Sequence, residues 1–369
     1  MQETEAVINA RREMEVCNAC RYCEGFCAVF PAMELRREFS AGDLSYLANL
    51  CHNCRGCYYA CQYSPPHEWG INVPAALAEV RAESYAEYAW PRPLAALFNR
   101  NGTVVSLIAA LGIALVLILS MVVNAPGNFF GAHPVVADSF YQVIPLWAMQ
   151  VVAIGSFGYS VVALAMGARN FWRDAGPAGK VGVSALAIAV WDVLTLKNLG
   201  GGGHGCNDNS EAFSMRRRYL HHAMFYGFML CFAATSTAFV YHVFLGWPAP
   251  YPFVSAPVLL GTLGGVLLIV GCVGLTAMKF VDDPMPNVRR LLGADIALLM
   301  LLAMSGVTGL VLLAVRATGA MGLALAVHLG FILALFLVLP YSKMVHGVYR
   351  SAALLRRAVE RDMKPLGGE

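Results

Sequence analysis

The chain has 369 residues, of which 58% are hydrophobic and 13% charged, against about a quarter charged in an ordinary soluble domain. Its net charge of +3 is small and scattered, with no Lys/Arg stripe interleaved with aromatics, which excludes nucleic acid as a partner. Charged residues gather in residues 1–95 and long apolar runs fill most of the rest, so the two regions face different solvents.

The N-terminus, MQETEAVINARREMEV, is polar and lacks the apolar core of a secretory signal. This region is therefore expected in the cytoplasm, where thiols stay reduced and closely spaced cysteines point to metal rather than disulfides. Cys17, Cys20, Cys23 and Cys27 read C-x2-C-x2-C-x3-C, and Cys51, Cys54, Cys57 and Cys61 repeat the run. This is the bacterial ferredoxin pattern, written twice. Cysteines two residues apart wrap three corners of a cubane from one turn, and the last cysteine of each run reaches the other cluster. One [4Fe–4S] cluster is thus assigned to Cys17, Cys20, Cys23 and Cys61, the other to Cys51, Cys54, Cys57 and Cys27. Zinc sites use paired C-x2-C knuckles without a third cysteine at the same interval, which disfavours zinc. Ala28 and Gln62 stand where such runs usually carry proline, so the local turn is expected to differ. Between the runs, residues 39–50 (FSAGDLSYLANL) offer Ser40 as an N-cap and put Leu44, Leu47 and Leu50 on one face. Without strand-like alternation, residues 1–95 read as an α-helical ferredoxin domain.

Residues 96–350 read as a transmembrane domain. Six runs suit a bilayer, which needs about 20 apolar residues: 103–123, 144–166, 219–244, 256–278, 291–315 and 321–342. A further run, 181–197, contains Asp192 and Lys197 and is marginal. Six spans place Arg216, Arg217 and Arg218 inside and leave Arg316 as the cation of the outer loops 124–143, 245–255 and 316–320; seven would put that arginine run outside, against the positive-inside rule. The loop 167–218 is therefore cytoplasmic, its apolar run lying along the inner face. Both termini are cytoplasmic, with 351–369 as a tail. The fold class is all-α: a helical ferredoxin domain fused to a six-helix, cytochrome b-like bundle.

Ionisable residues in a span default to function. His221 and His222 open the third span and His242 lies near its outer end; His328 lies near the outer end of the sixth and His346 just past its inner end. Antiparallel helices bring histidines to matched depths, so His242 is expected to pair with His328, and His346 with His221 or His222, around one or two b-type haems. His328 and His346, about five turns apart, are expected to share a face. Relative to His242, His221 is about 60° out of phase and His222 about 160°, which favours His221 while leaving His222 a candidate. His133, in an outer loop, is expected at the surface. Gly200–Gly205 (GGGGHG) satisfies a dinucleotide fingerprint trivially, follows no strand, and reads as a flexible loop. His204, Cys206 and Asp208 beside it are weak metal candidates.

The double cysteine run, the six-span region and the GGGGHGC loop together resemble the tricarballylate or citrate utilization protein TcuB (CitB) family, and also the C-terminal half of CobZ. The resemblance spans essentially the whole chain. It implies a bacterial inner-membrane protein that reoxidises the reduced flavin of a soluble dehydrogenase of the TcuA type. Electrons would then pass through clusters and haem to quinone. The chain carries no flavin fingerprint of its own, in keeping with a flavoprotein partner, and reads as an electron-transfer component rather than an enzyme acting alone on an organic substrate. The competing reading is a self-standing membrane redox subunit of heterodisulfide-reductase or CobZ type, for which no further cysteine-rich motif is present. A transporter is disfavoured by the scarcity of ionisable residues deep in the spans.

Overall fold

The computed structural model describes residues 1–124, 126–133 and 138–362. Among them there is no strand, and the isolated bridge Cys206–Ser214 is the lone β-type pairing. The all-α reading holds.

Five helices build the cysteine-bearing region: α1 (Glu5–Cys20), α2 (Val29–Met33), α3 (Ala41–Leu50), α4 (Gly56–Tyr59) and α5 (Val73–Tyr88). Helix α3 starts where its sequence says it should. Ser40 Oγ accepts from Asp43 N at 3.1 Å, and the Asp43 carboxylate accepts from Ser40 N at 3.2 Å, a capping box that satisfies two otherwise orphaned donors. Leu44, Leu47 and Leu50 are fully buried in a core shared with Val7, Met14, Leu77 and Val80 of α1 and α5.

The chain continues through α6 (Asn101–Val123), α7 (Pro126–Phe130), α8 (Leu146–Asp174), α9 (Val183–Leu194), α10 (Arg216–Leu245), α11 (Ala256–Val281), α12 (Leu292–Val315), α13 (Met321–Val338) and α14 (Val345–Asp362). Six segments are long and apolar enough to cross a membrane: Gly102–Val123, Leu146–Asp174, Arg216–Leu245, Ala256–Val281, Arg289–Val315 and Met321–Tyr341. Helix α9 has 12 residues, about 18 Å of rise, too short for a core of about 30 Å. Its Ala185 and Ala189 pack on Ala358 and Val359 of α14, while Val183, Leu186, Val190 and Trp191 stay exposed. That apolar face suits a membrane surface.

Three expectations need correction. Residues 351–362 are no loose tail, because α14 runs to Asp362 and sends Tyr349, Ala353 and Leu354 into the cysteine-side core. Glu360 there accepts from Arg36 at 2.7 Å and from Tyr46 Oη at 3.0 Å. The remainder of the expected tail, 363–369, lies outside the described residues. His346 is not on a continuation of the sixth span: Pro340 and the extended backbone of Ser342 separate α13 from α14, so the five-turn phase relation with His328 does not apply. His133 is buried, with Nε2 at 2.7 Å from Asn128 O and Nδ1 at 3.3 Å from Gln142 Oε1; the outer loop folds back over it.

Candidate functional site

Each cysteine run is a chain of tight turns. Arg21, Asn53 and Arg55 take positive φ values of 53°, 54° and 66°, a region that non-glycine residues enter only where the surroundings enforce it. Arg21 N closes α1 on Cys17 O at 2.8 Å, and Phe26 N bonds Cys23 O at 2.9 Å. These turns sort the thiols into two sets. Cys17 has Cys23, Cys61 and Cys20 as electrostatic neighbours, and Cys27 has Cys54, Cys57 and Cys51. Cys17, Cys20, Cys23, Cys57 and Cys61 line a cavity of about 240 Å³. Cys27, Cys51, Cys54 and Cys57 line a second, tighter pocket. The structure therefore brings the last cysteine of each run to the other run.

Burial, then the neighbouring thiols, pushes Cys17 and Cys23 up to about 12. Burial likewise raises Cys57, while Cys27 rises first through its hydrogen bond to Cys54, which is held below the usual thiol range by that same bond. Thiols gathered this closely ionise together only around a positively charged core. Among the described residues no three Cys, His, Asp or Glu side chains converge as one ion requires; each set surrounds a wider space.

The glycine stretch is not a free loop but a cover over the second set. Asn207 N donates to Cys54 O at 2.9 Å, and Cys206 Sγ to Leu199 O at 3.2 Å. At Gly201 (φ +56°) a Cβ would lie 2.5 Å from Gly205 O, and at Gly202 2.9 Å from Phe26 O; side chains would force the cover off the cysteines. His204 stands apart against Phe213. The Asp208 carboxylate is buried without a hydrogen-bond partner, and burial raises its pKa.

Below the second set the structure joins His221 and His346, their ring centroids 6.2 Å apart and the rings 84° to one another. His346 Nδ1 donates to Lys343 O at 2.5 Å, and His221 Nδ1 is buried with no partner. Burial, then the charge of Arg350, pulls the pKa of His346 well down, so it is a neutral imidazole. His222 points elsewhere: its Nδ1 and Nε2 lie 2.9 and 3.0 Å from Arg218 O and Thr195 O. Both nitrogens face carbonyl oxygens. The outer histidines have separate partners. His242 stands edge-on to Tyr141 at 5.2 Å, and His328 Nδ1 lies 3.0 Å from Thr308 Oγ1, its ring against Gly309. The pairing of His242 with His328 is not formed by ring contact here.

Arginines that sequence reasoning passed over tie these parts together. Arg217 Nη1 and Nη2 donate to Asn53 O at 2.5 Å and His52 O at 2.9 Å. Arg350 Nη2 and Arg81 Nη1 donate to Cys51 O at 2.9 and 2.7 Å. Arg55 Nη2 bridges Asp282 and Asn287, each at 2.8 Å. The one signal available in sequence was spacing: Arg217 precedes His221, and Arg350 follows His346, by one helical turn.

Residues 96–366 match the family described as Citrate utilization protein B, and residues 10–87 its Fer4-like domain. The chain is 48% identical to Citrate utilization protein B of Escherichia coli over 359 residues, covering 97% of this chain and 93% of that protein. No solved structure matches.

Proposed function

The chain belongs to the citrate utilization protein B family, and from that premise we propose that it is an electron-transfer protein of the bacterial cytoplasmic membrane. It takes single electrons from the reduced flavin of a soluble dehydrogenase of the TcuA type and delivers them to quinone by way of two [4Fe–4S] clusters and b-type haem. The observation that carries this reading is a line of sites. One thiol set reaches the surface at Cys20 and beside Tyr22 (66% exposed), the second adjoins it through Cys57, and the His221–His346 pair lies just beyond.

The bound clusters and haem supply one-electron chemistry; the chain's own residues hold and order them. Cys17, Cys20, Cys23 and Cys61 would hold the cluster nearest the partner, and Cys27, Cys51, Cys54 and Cys57 the inner one. His221 and His346 suit a b-type haem. Their rings lie 6.2 Å apart between centroids, and the two residues together would hold the haem iron. The Nδ1–H of His346 is spent on Lys343 O, which leaves Nε2 free and fixes the ring, the usual arrangement of a metal-bound histidine. Gly201 and Gly202 close the inner cluster from water.

Iron, acid-labile sulfide and pyridine haemochrome analysis of the purified protein tests the reading, with about eight sulfide, one or two haems and, counting the haem iron, about nine or ten iron expected per chain. In the variant Cys61→Ala the spectroscopic signal of the Cys17–Cys20–Cys23 cluster should be altered and the other kept. Alteration of the second-run cluster alone would sink the crossed ligation.

A further inference from the structure

Three arginines, Arg81 buried and Arg217 and Arg350 half-buried, surround the loop that carries Cys51 and Cys54. Arg81 donates to Cys51 O and, at 3.2 Å, to Ala48 O. Arg350 donates to the same Cys51 carbonyl and, through Nε at 3.3 Å, to Asn49 O. Arg217 holds the next two carbonyls, of His52 and Asn53. The hydrogen bonds just named go to backbone oxygens, Arg81 also bonds the Tyr85 side chain, and among the described residues none of the three forms an ion pair with a carboxylate. His52, enclosed among them, has its Nδ1 on Leu50 O at 2.8 Å. The outer set differs: the buried charged side chain beside Cys17 and Cys61 is the acid Glu13. Asp208 and Asp282 lie near enough to act on Arg217, but among the described residues Arg81 and Arg350 form no ion pair with a carboxylate. Withdrawing unpaired cations from water is expensive, so this collar favours a negative charge bound beside it.

We propose that Arg81, Arg217 and Arg350 form a positive collar that makes the Cys27–Cys51–Cys54–Cys57 site the more readily reduced of the two. The collar thereby directs electrons inward, toward His221 and His346. The proposal rests on the electron-transfer reading above and adds its direction. One electron, supplied by the partner's reduced flavin, leaves the outer site and adds one negative charge to the inner one; no bond forms or breaks and no proton moves. Fixed charges in a buried, weakly screened setting favour that added charge far more than surface charges do. Arg217 and Arg350 are positioning residues as well. Each sits one turn from its histidine while gripping the cysteine loop, so both ends of the inner transfer are held at a set separation.

A redox titration of the purified full-length protein, followed by electron paramagnetic resonance, tests this. Two cluster midpoints are expected. In Arg350→Gln the higher one should fall, with the equilibrium for electron transfer inward weakened about tenfold, about 59 mV for one electron, and the lower one should stay. Arg350→Lys, which keeps the charge but not the bidentate grip, should restore most of the shift. A purely structural role predicts equal damage from Gln and Lys. Should Arg350→Gln lose the inner cluster, Arg81→Gln is titrated in its place with the same expectation. The proposal is overturned if the higher midpoint does not move in the cluster-retaining variant, or if the lower one moves instead. Failure of the wild-type protein to hold two clusters would overturn the electron-transfer reading itself, and iron analysis of the same sample separates that outcome.

Discussion

His221 and His222 are neighbours in sequence with different chemistry. His222 has both nitrogens beside carbonyl oxygens, Arg218 O and Thr195 O, and so pins the start of α10 to the end of α9. His221 keeps an unpartnered, buried Nδ1 and faces His346. His222→Ala should leave the haem content unchanged and cost about 1 kcal/mol of stability, the worth of an ordinary hydrogen bond. His221→Ala should remove one haem by pyridine haemochrome; haem loss in the His222 variant instead would move the ligand by one residue. The cysteines were legible in sequence because their geometry is local, fixed by spacing and tight turns. The preference for His221 rested on its phase relative to His242 within α10, whereas the shared face of His328 and His346 rested on a helix that Pro340 and Ser342 interrupt. Arg217 and Arg350 left only their one-turn spacing from a histidine as a signal, and Arg81 left none, since each binds backbone carbonyls that any sequence would present.

At the scale of helices, the spans announced themselves by length and hydropathy, but their packing is written in glycines that such patterns pass over. Helices α10 and α11 approach so closely that a Cβ at Gly271 would lie 2.3 Å from Met224 N and 2.7 Å from Leu220 O. At Gly274, one turn on, the nearest atom is the end of the Leu220 side chain, at 2.4 Å, which can swing aside. Small residues that let backbones meet are what holds helices together in lipid. Gly271→Ala should therefore destabilise the bundle by about 1–3 kcal/mol, as overpacking does, and Gly274→Ala clearly less. Thermal unfolding in detergent, read by loss of helical signal, ranks the two; equal effects would mean that the helices part freely. Helix α14 was missed for a related reason. The run SAALLRRAVERD has the period of an amphipathic helix, yet its polar composition made it read as a tail until Arg36 and Tyr46 were seen to hold Glu360.

For the whole molecule, the docking of the cysteine-bearing region fixes which ends of the spans lie together. Tyr88 Oη donates to Asp174 at the end of α8, Arg217 at the start of α10 reaches His52 and Asn53, and Arg55 reaches Asp282 just beyond α11. Tyr59 Oη donates to Asp283 at 2.5 Å, and Arg350 of α14 reaches Cys51. The ends of α8 and α10 therefore share one side, which requires that the segment between them, including α9, does not cross. In the orientation proposed above that side is the cytoplasmic one, and the physical link is strong because a crossing α9 would have to pull Arg217 off the inner thiol set. A reporter fused after Lys180, an exposed position in the α8–α9 connection, should register inside, and one fused after Trp247, in the exposed turn between α10 and α11, should register outside. Gly202 is a poor fusion point despite its glycine neighbours, because it is wedged against Phe26 O; insertion there should cost iron content while leaving the spans inserted. Signals from the same side at Lys180 and Trp247 would make α9 a seventh crossing and would take the start of α10, with Arg217, away from the cysteine-bearing region it is seen to touch.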